Sequence, residues 1–122
     1  MAQTLCKADL AGFTGSQTFF RHGLNRRFLF TEGVKFFADR AGAYWLLDVL
    51  ATELPALCRS EGFLAIRMPV SEHKTTLTAD DGNGTVLWTK AIPWTDSPEG
   101  EWKFYLCPAE DNHLMLMLPS EY

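Results

Sequence analysis

Cysteine is scarce in this 122-residue chain: Cys6, Cys58 and Cys107 are widely spaced and odd in number. No CxxC pair and no Cys/His ligand spacing occurs, which argues against a disulfide framework and against a zinc site. Long apolar runs are also missing, the longest falling far short of the ~18 residues that a membrane-spanning helix needs. The opening MAQTLCKADLAGF has no apolar stretch of the signal-peptide kind. A reduced, cytoplasmic protein with no membrane association is therefore expected. Low-complexity tracts, linkers and internal repeats are absent, and one domain over residues 1–122 is the simplest organisation. Neither GxSxG, a Walker loop, HExxH nor GxGxxG occurs, so no linear motif announces catalysis and no cofactor is expected.

Positive charge is thin as well. Residues 1–50 carry six Lys/Arg against four Asp/Glu, but residues 51–122 carry five against eleven, for a net −4. An acidic C-terminal half disfavours nucleic acid as a partner. What the chain does have is apolar and aromatic residues, 47% and 13% of the total, enough for a packed core and too many for a solvated coil.

Residues 4–11 have the pattern of a short helix, with Thr4 as N-cap and Gly12 as stop. RRFLFT then suggests a short extended piece. Thr31 has the character of an N-cap, and Val34, Phe37, Ala38 and Ala41 follow at helical spacing on one face. Gly42 ends that helix. A second begins near Ala43, with Leu46, Leu47, Leu50, Leu54 and Leu57 along one side, and Pro55 kinks or ends it. From Phe63 the period changes to alternation. FLAIRMPV, KTTLTA, GTVLWTKAI, EWKFYLC and HLMLMLP then predict five strands. DDGNG at 80–84 has the composition of a hairpin turn and lacks the twelfth-position acid of a calcium loop. The expected fold class is α+β, with N-terminal helices on one face of a mostly antiparallel five-stranded meander.

The run Leu114–Leu118 is five large apolar residues long, whereas a strand with one wet face should alternate. If Leu114, Leu116 and Leu118 face the helices, Met115 and Met117 turn to the second face. Tyr105 and Lys103 join them there by parity, beside Arg67 and Lys90. That face is either covered by the chain itself or is a binding surface. In the second case Tyr105, Met115 and Met117 would anchor a second copy or another protein, with Arg67 and Lys103 at the rim. The protein is then a homodimer or a protein-binding module, with no catalysis assigned.

The alternative is a ligand-binding protein or small enzyme with a pocket between helices and sheet, lined by Arg21, His22, Tyr44, Trp45 and Asp48. Guanidinium groups grip oxyanions, and a carboxyl beside aromatics can be tuned into a general acid. Surface turns and solvated acids are the commoner fates of such residues. His22, His73 and His113 share no ligand spacing, so no metal ligand is assigned. No catalytic residue is assigned either.

FFRH, FTEGVKFFADRAGAYWLLD and the terminal LMLPSEY together resemble an uncharacterised family of small bacterial proteins, over residues 13–122. AGAYWLLD and LPSEY are the most specific parts. Members of that family carry Tyr where this chain has Phe19, Phe20 and Phe30. The resemblance implies a setting and no activity. The setting is cargo of mobile DNA (phage, plasmid, integrative element or gene cassette), where small proteins often bind a host or rival component or inhibit a defence system.

Overall fold

Thr31 turns the chain from strand into helix. Its hydroxyl accepts the Val34 N–H at 3.3 Å, so the N-cap is filled by the residue that the pattern indicates. The computed structural model describes residues 19–122, so the helix expected over 4–11 lies outside the described residues. Two short strands, β1 (Phe19–Arg21) and β2 (Phe28–Thr31), lead into α1 (Glu32–Ala41), α2 (Tyr44–Glu53) and α3 (Pro55–Glu61). Five further strands follow: β3 (Leu64–Ser71), β4 (Lys74–Asp80), β5 (Val86–Ile92), β6 (Gly100–Pro108) and β7 (Leu114–Met117). Gly42, at φ 62°, closes α1 in the left-handed region that glycine adopts at little cost. Pro55 does not kink a helix but opens α3 at its first turn, where its missing N–H costs nothing.

The expected meander is wrong in three respects. Among the described residues the sheet has seven strands in the order β1-β2-β7-β6-β3-β4-β5. Its pairing is mixed, because β7 runs parallel to β2 while the other neighbours are antiparallel. The helices lie mid-chain, between β2 and β3, rather than N-terminal to the sheet. Burial explains the order. Trp102, Phe104 and Leu106 of β6 present an unbroken apolar face and take the centre beside β3, whereas β5 puts Lys90 on its inner face and goes to the edge.

One face of the sheet packs on the helices. Phe28, Phe30, Leu114, Leu116, Leu106, Phe104, Ile66, Met68 and Leu77 form a single cluster with Val34, Phe37, Leu46, Leu50 and Leu54. The Phe37 ring sits at 5.2 Å from Trp102 and 5.0 Å from Phe104, centroid to centroid. The five-residue apolar run is thereby explained. β7 lies between β2 and β6, and Met115, on the face away from the helices, is only 8% exposed.

Strands β3 and β4 join through Glu72 and His73, both at positive φ (52° and 62°). A tight hairpin demands that geometry, and Asn or Gly adopts it far more readily than Glu. The Glu72 N–H is held by Glu99 Oε1 at 3.1 Å, and His73 stacks on Trp94 at 4.5 Å, so the turn is over-determined. Glu72→Asn keeps the backbone bond and relieves the strain. It should stabilise the fold by about 0.5–1 kcal/mol, read as a higher midpoint in urea. A lower midpoint would mean that the Glu72 side chain contributes something that the turn geometry does not show.

Candidate functional site

Two places bring chemistry-bearing residues together. The first is the β1–β2 turn against α2. His22 is 6% exposed, and its Nε2 lies 2.8 Å from Asp48 Oδ1. Its Nδ1 accepts the backbone N–H groups of Leu24 (3.2 Å) and Asn25 (3.0 Å). Those two bonds fix the tautomer: the hydrogen is on Nε2 and is donated to Asp48. Asn25 adds a second tie from the same turn, its Nδ2 donating to Ala51 O at 2.9 Å. Arg21, His22, Tyr44 and Asp48 line a recess of about 280 Å³ with Leu24, Phe30 and Leu47. Trp45, expected with them, packs instead against the core cluster.

This recess is a poor place for acid–base work. A general base needs a ring nitrogen free to meet substrate, and both nitrogens of His22 are occupied. The Tyr44 hydroxyl donates to Asp39, which also holds Lys35 Nζ at 2.9 Å. Those two partners keep the Asp39 carboxyl below the usual carboxylate range, and the Asp39 carboxylate pushes the Tyr44 hydroxyl up. Among the described residues, no Ser, Thr or Cys lines the recess. Elsewhere, burial pushes the Cys58 thiol up to about 12 and the Cys107 thiol up as well, so neither is a ready thiolate. The arrangement reads as a clasp between a hairpin and a helix.

The basic run around the clasp is largely spent on structure or left to solvent. Arg27 Nη1 donates to Asp111 O at 2.8 Å, while Arg21 and Arg26 are exposed. Among the described residues, no group of three or more His, Cys, Asp and Glu is placed to hold a metal ion. No described helix is long and apolar enough to cross a membrane.

The second place is the face of the sheet opposite the helices. Strand register sets Arg67 beside Lys103, Ala65 beside Tyr105, Tyr105 beside Met117 and Cys107 beside Met115, so all five expected residues share that face. Lys90 does not: it points to the helix side, where its Nζ pairs with Glu53 Oε2 at 2.8 Å. Met115 is buried, and Met117 and Tyr105 are half-buried. A groove of about 300 Å³ runs beside them, lined by Phe63, Arg67, Asp80, Lys103, Tyr105 and Tyr122, with Ala65 in its floor. Three rings meet edge to face: Phe63–Tyr105 at 5.1 Å, Phe63–Tyr122 at 5.7 Å and Tyr105–Tyr122 at 5.3 Å.

Charge in the groove is unevenly shared. Arg67 faces two carboxylates, Asp80 Oδ2 at 3.3 Å and Glu101 Oε1 at 3.2 Å. Asp80 is itself buried, and its other oxygen accepts the Gly82 N–H at 2.7 Å, anchoring the β4–β5 turn. Lys103 is exposed and has no ion pair or hydrogen bond among the described residues. The groove thus offers aromatic edges next to an ammonium that makes no ion pair among the described residues. Sequence reasoning missed Phe63, Asp80 and Tyr122. Phe63 has the parity of Ala65 and Arg67 and was legible as a neighbour of theirs. Asp80 reads as turn chemistry, and nothing in the sequence places Tyr122 over Tyr105.

The segments TEG and LPSEY, more than eighty residues apart, meet at the start of α1. Glu121 Oε1 accepts the Thr31 hydroxyl at 2.6 Å and the Leu118 N–H at 3.0 Å, while its Oε2 accepts the Gly33 N–H at 3.3 Å. A carboxylate there also suits the positive end of the helix dipole. Gly33 is closely packed: a Cβ on it would lie 2.6 Å from Leu118 Cδ1 and 2.7 Å from Glu121 Oε1, so those side chains or the helix start would have to shift.

Among solved structures, the chain is similar to a protein of unknown function from Enterococcus faecalis, with a TM-score of 0.53 and 16% identity. The match covers 86% of this chain and 98% of that one; at this identity it speaks to the fold alone. No curated protein matches the chain. Residues 4–122 match the model of a family of unknown function, DUF6876, and the chain belongs to that family.

Proposed function

We propose that this is a single-domain, cytoplasmic accessory protein that acts by binding a protein partner through the second face of its sheet. The observation that carries the reading is the groove there: three aromatic rings in mutual contact beside Lys103, the cation that has no partner among the described residues. Such a site fits a carboxylate carried next to an apolar or aromatic side chain. The ring edges take the apolar part and the ammonium takes the charge. Its place on an open sheet face suits a projecting side chain of another protein better than an enclosed small molecule. Tyr105, Arg67 and Lys103 are its working residues, with Met117 at its flank; Met115 is too buried to be an anchor. The setting of mobile DNA that the family resemblance implies makes a host or rival protein the class of partner.

Amide chemical shifts test the groove with simple probes. Phenylacetate, a ring carrying a carboxylate, should shift Ala65, Arg67, Lys103 and Tyr105, whereas phenethylamine, a ring carrying a cation, should not. Lys103→Glu should abolish the response to phenylacetate. Shifts confined to Arg21–Leu24 and Tyr44–Asp48 would move the binding site to the clasped recess, and no shifts at either place would contradict the reading.

A further inference from the structure

Tyr122 is 76% exposed, yet its ring lies in the groove, 5.7 Å from Phe63 and 5.3 Å from Tyr105 between centroids. Fixing so exposed a residue costs conformational entropy comparable to what two edge contacts return. Its backbone adds one bond, the Tyr122 N–H donating to Pro119 O at 3.2 Å. A firmer hold comes one residue earlier. Glu121 accepts the Thr31 hydroxyl and the Leu118 N–H on Oε1 and the Gly33 N–H on Oε2. Leu118 is itself sunk in the core cluster. A single peptide unit thus joins an anchor at the start of α1 to a ring on the far face of the sheet.

Resting on the reading of the groove as a binding site, we infer that Glu121 is its positioning residue, acting through Tyr122. Tyr105 stands on β6 and Phe63 immediately precedes β3, so the sheet holds those two rings by itself. Tyr122 belongs to no strand, and its ring sits where the Glu121 anchor puts it. The third wall of the groove is therefore set from the start of α1. Glu121 does not line the groove, whereas Tyr122 does. A change at Glu121 should then alter affinity without touching ligand, and only while the Tyr122 ring is present. The sign is informative as well. Removing a carboxylate would, by charge alone, favour an anionic ligand at Lys103. Loss of positioning weakens that ligand instead.

Ring and ligand are measured separately. Without ligand, nuclear Overhauser contacts of the Tyr122 ring with Phe63 and Tyr105 are compared between wild type and Glu121→Ala. Phenylacetate is then titrated into both, into Tyr122→Ala and into the double variant, each first shown folded by unchanged amide shifts along β3 and β4. Glu121→Ala should lose the ring contacts and weaken phenylacetate about two- to tenfold, the worth of one aromatic contact. Tyr122→Ala should match it. The double variant should be no weaker than Tyr122→Ala, because one ring accounts for both losses. Glu121→Asp keeps the charge but is one methylene short. It should move affinity in the same direction, and it replaces Glu121→Ala should that variant not fold. Ring contacts that survive the change at Glu121 would overturn the inference. So would unchanged or tighter phenylacetate, or losses that add in the double variant. If wild type itself binds no phenylacetate, the reading of the groove fails, and the ring contacts alone decide whether Glu121 places Tyr122.

Discussion

Gly33→Ala is expected to destabilise the protein by about 2 kcal/mol, against the usual sign for such a change in a helix. In an ordinary helix, replacing Gly by Ala gains up to about 1 kcal/mol from the unfolded chain's lost freedom. At Gly33 the new methyl would lie 2.6 Å from Leu118 Cδ1, on a side chain only 2% exposed and packed into the core cluster. It would also lie 2.7 Å from Glu121 Oε1, the oxygen that accepts from Thr31 and Leu118. Either the chain end lifts and forfeits those bonds, each worth about 1 kcal/mol, or the helix start shifts. In urea the midpoint should fall with the slope unchanged. Glu121→Ala removes the same bonds, so the double variant should cost less than the two single changes together. Full additivity would show that TEG and LPSEY do not act as one unit.

His22→Ala should cost about 2–3 kcal/mol, while Asp48→Asn should cost well under 1. The asymmetry comes from burial. Removing the imidazole strips the Leu24 and Asn25 N–H groups of their acceptor and deletes a ring packed edge-on against Phe28 at 6.1 Å. The Asp48 side chain is 69% exposed, and Asn can still accept from Nε2–H. Chemical denaturation of both variants measures the difference directly. A stable His22→Ala protein would dissolve the clasp and return the recess to contention as a site of chemistry.

Local patterns in the sequence reached as far as local physics does. The period at Val34, Phe37, Ala38 and Ala41 places those residues in the core, and Thr31 and Gly42 bound the helix. Alternation in EWKFYLC and HLMLMLP separates Trp102, Phe104 and Leu106 from Lys103 and Tyr105, and Leu114 and Leu116 from Met115 and Met117. Strand order was not legible in the same way. Which strand sits beside β3 is decided by competition for the centre of the sheet, which β6 wins through its uninterrupted apolar face. Lys90 shows the limit of parity. It was grouped with Arg67 and Lys103, but that grouping assumed a face for β5, whose register to β4 shifts at Ala79/Asp80. The His22–Asp48 contact spans twenty-six residues and is set by how the hairpin docks on α2, so no spacing rule predicts its length or its tautomer.

The proposed role of the second sheet face is to bind a protein partner. Its most direct test is quantitative capture from bacterial lysate on the tagged full chain, comparing wild type with Lys103→Glu/Tyr105→Ala and with Asp48→Asn. All three proteins are first shown to be folded by circular dichroism. A stoichiometric partner retained by wild type and by Asp48→Asn, but lost with the groove variant, is the predicted result. A partner that stays with the groove variant and leaves with Asp48→Asn would contradict the account and put binding at the clasped recess.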